Sequence, residues 1–149
     1  MKKIFFVLWF LCCTNKLFAI EALLGVSAYT LSKYRWEVEL MNMGGYEVIV
    51  PYDVENAYLT FSGSQVRGIV GCNNFFANYQ IQGGGKILLV SPGGVTRKMC
   101  ASSAESQIEA IFTRIFEGRF AVVGNDEMVE LIREDGFRIR LIPSVTIEP

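Results

Sequence analysis

Histidine is absent from this 149-residue chain. With it go the Ser-His and Cys-His arrangements that activate most enzyme nucleophiles, and no Ser-x-x-Lys stands in to replace them. Cysteine is scarce: there are four, none in a Cys-x-x-Cys spacing, and two of them, Cys12 and Cys13, lie next to each other near the start. The remaining pair without any histidine does not make a zinc site or a dithiol redox motif. The apolar run at residues 4–13 is ten residues long, well short of the ~20 that a membrane-spanning helix needs. A phosphate loop is missing as well, since Gly85-Lys86 has Gln80 in place of the upstream glycine and Ile87 in place of Ser or Thr. No internal repeat, low-complexity tract or charge block marks a second domain.

What the start of the chain does contain is a leader. Met1-Lys2-Lys3 is cationic, residues 4–13 are apolar, Thr14-Asn15-Lys16 is a polar break, and Leu17-Phe18-Ala19 ends on a small residue. This is the pattern of a secretory signal peptide over residues 1–19, cut after Ala19. Cys12 and Cys13 follow bulky residues rather than the small residue that lipid attachment requires, so there is no lipobox. The expected product is a periplasmic or secreted protein with no stable membrane insertion. Three lysines leave with the leader, taking the formal charge from −1 to −1 − 3 = −4. Such a chain has no electrostatic case for binding nucleic acid. The mature residues 20–149 suit one domain with one core.

The mature chain reads mostly as β-structure. Trp36-Glu37-Val38-Glu39-Leu40 alternates apolar and charged residues, the period of a strand with one buried face. Residues 57–61 and 66–70 form a hairpin across Gly63. Phe75–Ile81 and Ile87–Val90 form another around Gly83-Gly84-Gly85, which accepts the positive φ of a tight turn. Ile108, Ile111, Phe112, Ile115 and Phe116 recur with helical spacing, Ser102 and Glu105 make a capping box, and Gly118 closes the far end, predicting a helix over 103–117 with Glu109 on its wet face. A three-residue loop Glu134-Asp135-Gly136 places Leu131 opposite Ile139, Val129 opposite Leu141 and Glu130 opposite Arg140. A two-residue turn would mix charge with core instead. Residues 20–33 read as an extra edge strand or a loosely held arm.

Two motifs carry the most specific signal: Gly71-Cys72-Asn73-Asn74-Phe75 leading to Tyr79, and Thr96-Arg97-Lys98-Met99-Cys100. With the Trp36 strand, Leu59-Thr60-Phe61, the single helix and the closing hairpin, the stretch from about 36 to 141 resembles the META-domain (HslJ-like, DUF306) family of small bacterial envelope proteins. Asn74 stands where members often carry a basic residue. The resemblance implies an α+β fold, a strongly curved antiparallel sheet formed as a near-barrel meander of hairpins, with one amphipathic helix packed along its side. The pattern of strands agrees, because hairpins on both sides of one helix need a curved sheet to cover it.

Cys72 and Cys100 are the only cysteines left after processing. In an oxidising compartment they most simply form a disulfide, and a loop of about 29 residues is then stabilised by roughly 3.6 kcal/mol in the chain-entropy model. Two separate buried thiols are the alternative. Asn73 reads as a turn residue that bonds its own backbone, and Arg97 as a group able to reach the turn's carbonyls if the cysteines meet. Gly71, Asn73, Asn74, Phe75, Tyr79, Thr96, Arg97 and Met99 are thus the candidate binding surface.

The acidic residues Glu37, Glu39, Glu127 and Glu130 fall on solvent-facing strand positions or turns, giving no paired carboxylates for acid–base chemistry. The expectation is a non-enzymatic protein without cofactor or metal. The family resemblance implies a contribution to envelope integrity or to heat-shock and antibiotic tolerance, through an envelope protein partner. A small apolar ligand or lipid held in the mouth of the curved sheet is the rival, and an inhibitor or chaperone-like role toward exported proteins is a third reading. N-terminal sequencing of the protein recovered from its host is expected to begin at Ile20, with the chain in the soluble periplasmic or secreted fraction. A retained Met1, or lipid on Cys12 or Cys13, contradicts the leader assignment.

Overall fold

The computed structural model describes residues 26–144, and the leader expected over residues 1–19 lies outside them. The strands are β1 (Arg35–Met43), β2 (Tyr46–Ile49), β3 (Ala57–Ser62), β4 (Gln65–Val70), β5 (Asn74–Gln82), β6 (Ile87–Val90) and a two-residue β7 (Gly94–Val95). Helix α1 (Ser103–Ile115) follows, then β8 (Gly118–Asn125), β9 (Met128–Arg133) and β10 (Phe137–Pro143). Eight of these strands pair in a ring, in the order β1-β3-β4-β5-β6-β8-β9-β10 and back to β1, every pair antiparallel. The expected curved sheet is therefore a closed barrel. Closure gives the first and last strands of the ring a partner each, so neither is left as an open edge.

A bulge lets β1 bend into this ring. Glu39 is an extra residue between Val38, opposite Leu141, and Leu40, opposite Arg140. The extra residue changes the side-chain phase. Trp36 and Val38 face inward before it, and Met41, opposite Ile139, continues the core row after it; Leu40 is buried as the alternation expects, but outside the main core cluster. At the same point β1 changes neighbours, pairing with β3 over Arg35–Glu37 and with β2 over Leu40–Met43.

The closing hairpin has the register that its chemistry demands: Leu131 opposite Ile139, Val129 opposite Leu141, Glu130 opposite Arg140, and Gly136 at φ 89°. Glu130 pairs with two arginines. Its carboxylate meets Arg140 at 3.0 Å and Arg138 at 3.7 Å, and Arg140 also reaches Glu39 at 3.6 Å, so a charge chain runs across the β1–β10–β9 seam. The Glu130 hydrogen bond raises the pKa of Arg140 further above its usual value.

Helix α1 starts on the expected capping box of Ser102 and Glu105. It lies across one end of the barrel rather than along a side. It touches β1 and β4, while Phe112 meets the Phe75 ring of β5 edge-on at 5.1 Å and stacks on Phe116, which in turn reaches Phe75 and Phe120 of β8. Contacts spread round the ring in this way identify an end plug. Its tail is tied by Arg133 of β9, whose guanidinium donates to the carbonyls of Ile115 (3.1 Å) and Glu117 (2.7 Å), the groups a helix end leaves unpaired. The same guanidinium pairs with Asp135, holding that carboxyl below its usual pKa.

The other end is covered by residues 26–33. A 3₁₀ turn over Ala28–Lys33 buries Ala28 and Leu31, and the Trp36 indole donates to the Leu31 carbonyl at 2.9 Å. Of the segment 20–33, the described part from Val26 on is thus neither an edge strand nor a loose arm, and residues 20–25 lie outside the described residues. Inside, Trp36, Phe61, Leu59, Leu88, Phe112, Phe116, Phe120, Leu131 and Ile139 are fully buried. Ile111 is half-buried, at the margin of the helix's inward face. Phe112→Ala is expected to destabilise the domain by about 3–5 kcal/mol in urea titration, the usual cost of emptying a buried aromatic site. A cost near zero contradicts the placement of α1 as a plug.

Candidate functional site

The Gly71–Asn74 turn joins β4 to β5 beneath α1. Gly71 has φ 102°, and a Cβ there would fall 2.6 Å from the Glu105 carbonyl oxygen and 2.8 Å from the Glu109 Cβ. Only glycine meets both demands, the positive φ and the close approach to the helix. Cys72 is bonded to Cys100, with their Cα atoms 5.5 Å apart and 28 positions apart in sequence. The disulfide pins the segment 96–100 against the turn.

Asn73 is the centre of the arrangement, with 2% of its surface exposed. It does not bond its own backbone. Its Oδ1 accepts from the Thr96 hydroxyl at 2.9 Å and the Lys98 amide at 2.7 Å, and its Nδ2 donates to the Lys98 carbonyl and to Glu109 Oε1, both at 3.0 Å. That satisfies both lone pairs and both protons of the amide. Glu109 completes the knot: its Oε2 accepts from the backbone amides of Asn73 (2.8 Å) and Cys72 (3.3 Å). The helical spacing put Glu109 on the wet face; in the fold it faces the turn, because two backbone amides there have no strand partner and need an acceptor.

The remaining candidates divide into core and surface. Phe75 and Tyr79 are buried in the barrel; Tyr79 meets Phe61 edge-on at 5.3 Å, and burial pushes its phenol pKa up. Thr96 positions the knot through Asn73 and the Asn74 amide. Arg97 does not take the place expected for it at the turn's carbonyls. The Lys98 backbone occupies that position, and the Arg97 side chain is exposed, as is Met99, which is 98% accessible. The ligating atoms of Cys72, Cys100 and Glu109 gather within 4.8 Å of one another. The sulfurs are consumed by their mutual bond and the carboxylate by the amides it accepts from, so this grouping fits a structural knot better than a metal centre.

Beside the knot lies an open groove of about 670 Å³ on the outer face of β3, β4 and β5. Its lining includes Tyr58, Thr60, Arg67, Asn74, Phe76 and Asn78. Asn74, whose amide is held by Thr96, thus links the knot to this surface. The motif reading named Asn74 but missed the others, which belong to three strands and come together only through register.

Four measurements check the knot. Glu109→Ala is expected to cost about 2–3 kcal/mol, because it strands buried donors that had a charged acceptor. In a double-mutant cycle with Asn73→Ala, the two losses should be clearly less than additive. Cys72→Ser and Cys100→Ser should destabilise equally, with the double variant little worse than either, and unfolded, unreduced protein should show no free thiol.

No match to a curated protein reaches significance. Among solved structures, an NMR structure of a protein from Burkholderia xenovorans is similar at 23% identity, covering 79% of this chain and 86% of that one with a TM-score of 0.65. A second NMR structure matches at 17% identity, over 79% of this chain and 96% of that one, with a TM-score of 0.56. Both likenesses concern the fold. The META domain family matches residues 29–145, reaching further toward the N-terminus than the motif-bearing stretch from 36 and taking in most of the 3₁₀ cover. The chain belongs to the META domain family.

Proposed function

We propose that this protein is a non-enzymatic exported envelope protein that acts by binding another component of the envelope through the outside of its barrel, and so contributes to envelope integrity or stress tolerance. The observation that carries this reading is the filled, covered interior. Large apolar side chains occupy the barrel, α1 lies across one end and residues 28–33 cover the other. A ligand in the mouth of the sheet would have to displace one of these plugs. The outer face has no such obstacle: Phe76 is 55% exposed, Tyr58 is half-buried, and Arg67, Arg97 and Met99 are all exposed. The leader pattern supports export, and no helix among the described residues is long and apolar enough to cross a membrane.

The test is native mass spectrometry on protein recovered from the envelope fraction of its host, with wild type compared with Phe76→Ala. The expected result is wild-type protein held in a complex, and a reduced share of complex for the variant. Bare monomer in both cases contradicts the reading. A retained lipid-sized mass that Phe76→Ala leaves in place favours the ligand-in-the-mouth alternative instead.

A further inference from the structure

The strand register builds one continuous row across the outer face: Arg35 of β1 opposite Thr60 of β3, Thr60 opposite Arg67 of β4, Arg67 opposite Phe76 of β5, and Phe76 opposite Gly94 of β7. Residues directly opposite in neighbouring strands share a face of the sheet. The row thus sets two guanidinium groups and one exposed aromatic ring in a line. Amide side chains flank it, Asn74 on one side and Gln65 with its partner Asn78 on the other.

Each part is held in place. A Cβ at Gly94 would overlap the tip of the Phe76 ring, so the glycine makes room for a ring that stays 55% exposed. Arg35 lies over the Tyr58 ring at 3.7 Å. Arg67 uses one donor on Gln65 Oε1 at 2.6 Å and keeps others for a ligand. Gly68 lets β4 approach β3 where a Cβ would meet the Tyr58 carbonyl. Among the described residues, no acidic side chain lines the groove; Glu37, opposite Tyr58, bounds it at one corner. Among the described residues, Arg67 is the one charged side chain that lines the groove, with Arg35 beyond it at the β1 end of the row, so the lining is basic on a chain whose net charge is negative.

We propose that this row is a binding site for an acidic oligosaccharide, a chain of sugars bearing carboxylates. The step from strand to strand, about 4.8 Å, is close to the advance of one pyranose along an extended glycan, so successive sugars would meet successive side chains of the row. The planar guanidinium groups match carboxylates in bidentate geometry. The Phe76 ring offers an apolar platform to the C–H face of a sugar, and the amides suit hydroxyl and acetamido groups. A lipid tail would leave these polar groups unpaired, and a neutral glycan would leave the arginines unused. This proposal rests on the outer-face reading above and names its partner class.

The experiment is amide-resolved NMR titration of the mature protein with a hexuronate oligosaccharide, with a neutral amino-sugar hexamer and a short oligothymidylate as comparisons. The hexuronate is expected to shift the amides of Arg67, Phe76 and Asn78, with binding that weakens as salt rises. Phe76→Ala and Arg67→Gln should each lower affinity by about tenfold or more, the loss of one well-placed partner. Arg138→Gln, whose residue pairs with Glu130 away from the groove, should leave affinity unchanged. If Phe76→Ala does not fold, Arg67→Gln carries the test alone. Absence of groove shifts, equal binding of the neutral hexamer, or tighter binding of oligothymidylate overturns the proposal. If hexuronate fails while Phe76→Ala still removes the envelope complex, the outer-face reading stands and only the glycan assignment falls.

Discussion

The pairing of β1 with β10 is the constraint on which the rest of this structure depends. It joins the two ends of the ring over Trp36–Met43 and Phe137–Pro143, and without it the molecule is an open sheet with two exposed edges. Closing a chain of this length has an entropic cost, and the contact is rewarded only when nearly everything between is in register. The Glu39 bulge bends β1 to make the join, and the charge chain through Glu39, Arg140, Glu130 and Arg138 fastens its outer side.

A closed ring creates the next problem, which is two open ends. The chain covers them with two pieces of different kind. One is a short 3₁₀ turn anchored through the Trp36 indole, and the other is α1, tied at its tail by Arg133 and along its length by Glu109. The Asn73 knot and the Cys72–Cys100 bond belong to this second cover. They fix the turn below the helix and the segment leading into it. The two specific motifs of the sequence are therefore the fastening of a plug, and the surface they leave open is the outside of the barrel.

Much of this was legible in the residues, and the parts that were not share a cause. The β9–β10 register followed from placing Leu131 opposite Ile139 and charge opposite charge, and the helix from its stripe and capping box, because these are local patterns. Closure was not legible, since nothing in Arg35–Met43 alone names Phe137–Pro143 as its neighbour. β8 escaped because Phe120-Ala121-Val122-Val123 does not alternate cleanly, and β2 because its four residues are mostly exposed. Glu109 was misread for the same reason as closure: helical spacing reports which face is apolar, not that a turn from elsewhere brings unpaired amides to the polar side. The groove row was invisible for the same reason, being one residue each from five strands.

Native-state hydrogen exchange at the amides of β1 and β10 tests the closed barrel most directly. The account predicts that the paired amides of both strands exchange only through the same global opening that exposes β4 and β5, with one shared free energy. Exchange of β1 or β10 through a local opening, while β4 and β5 stay protected, would mean an open sheet and would contradict it.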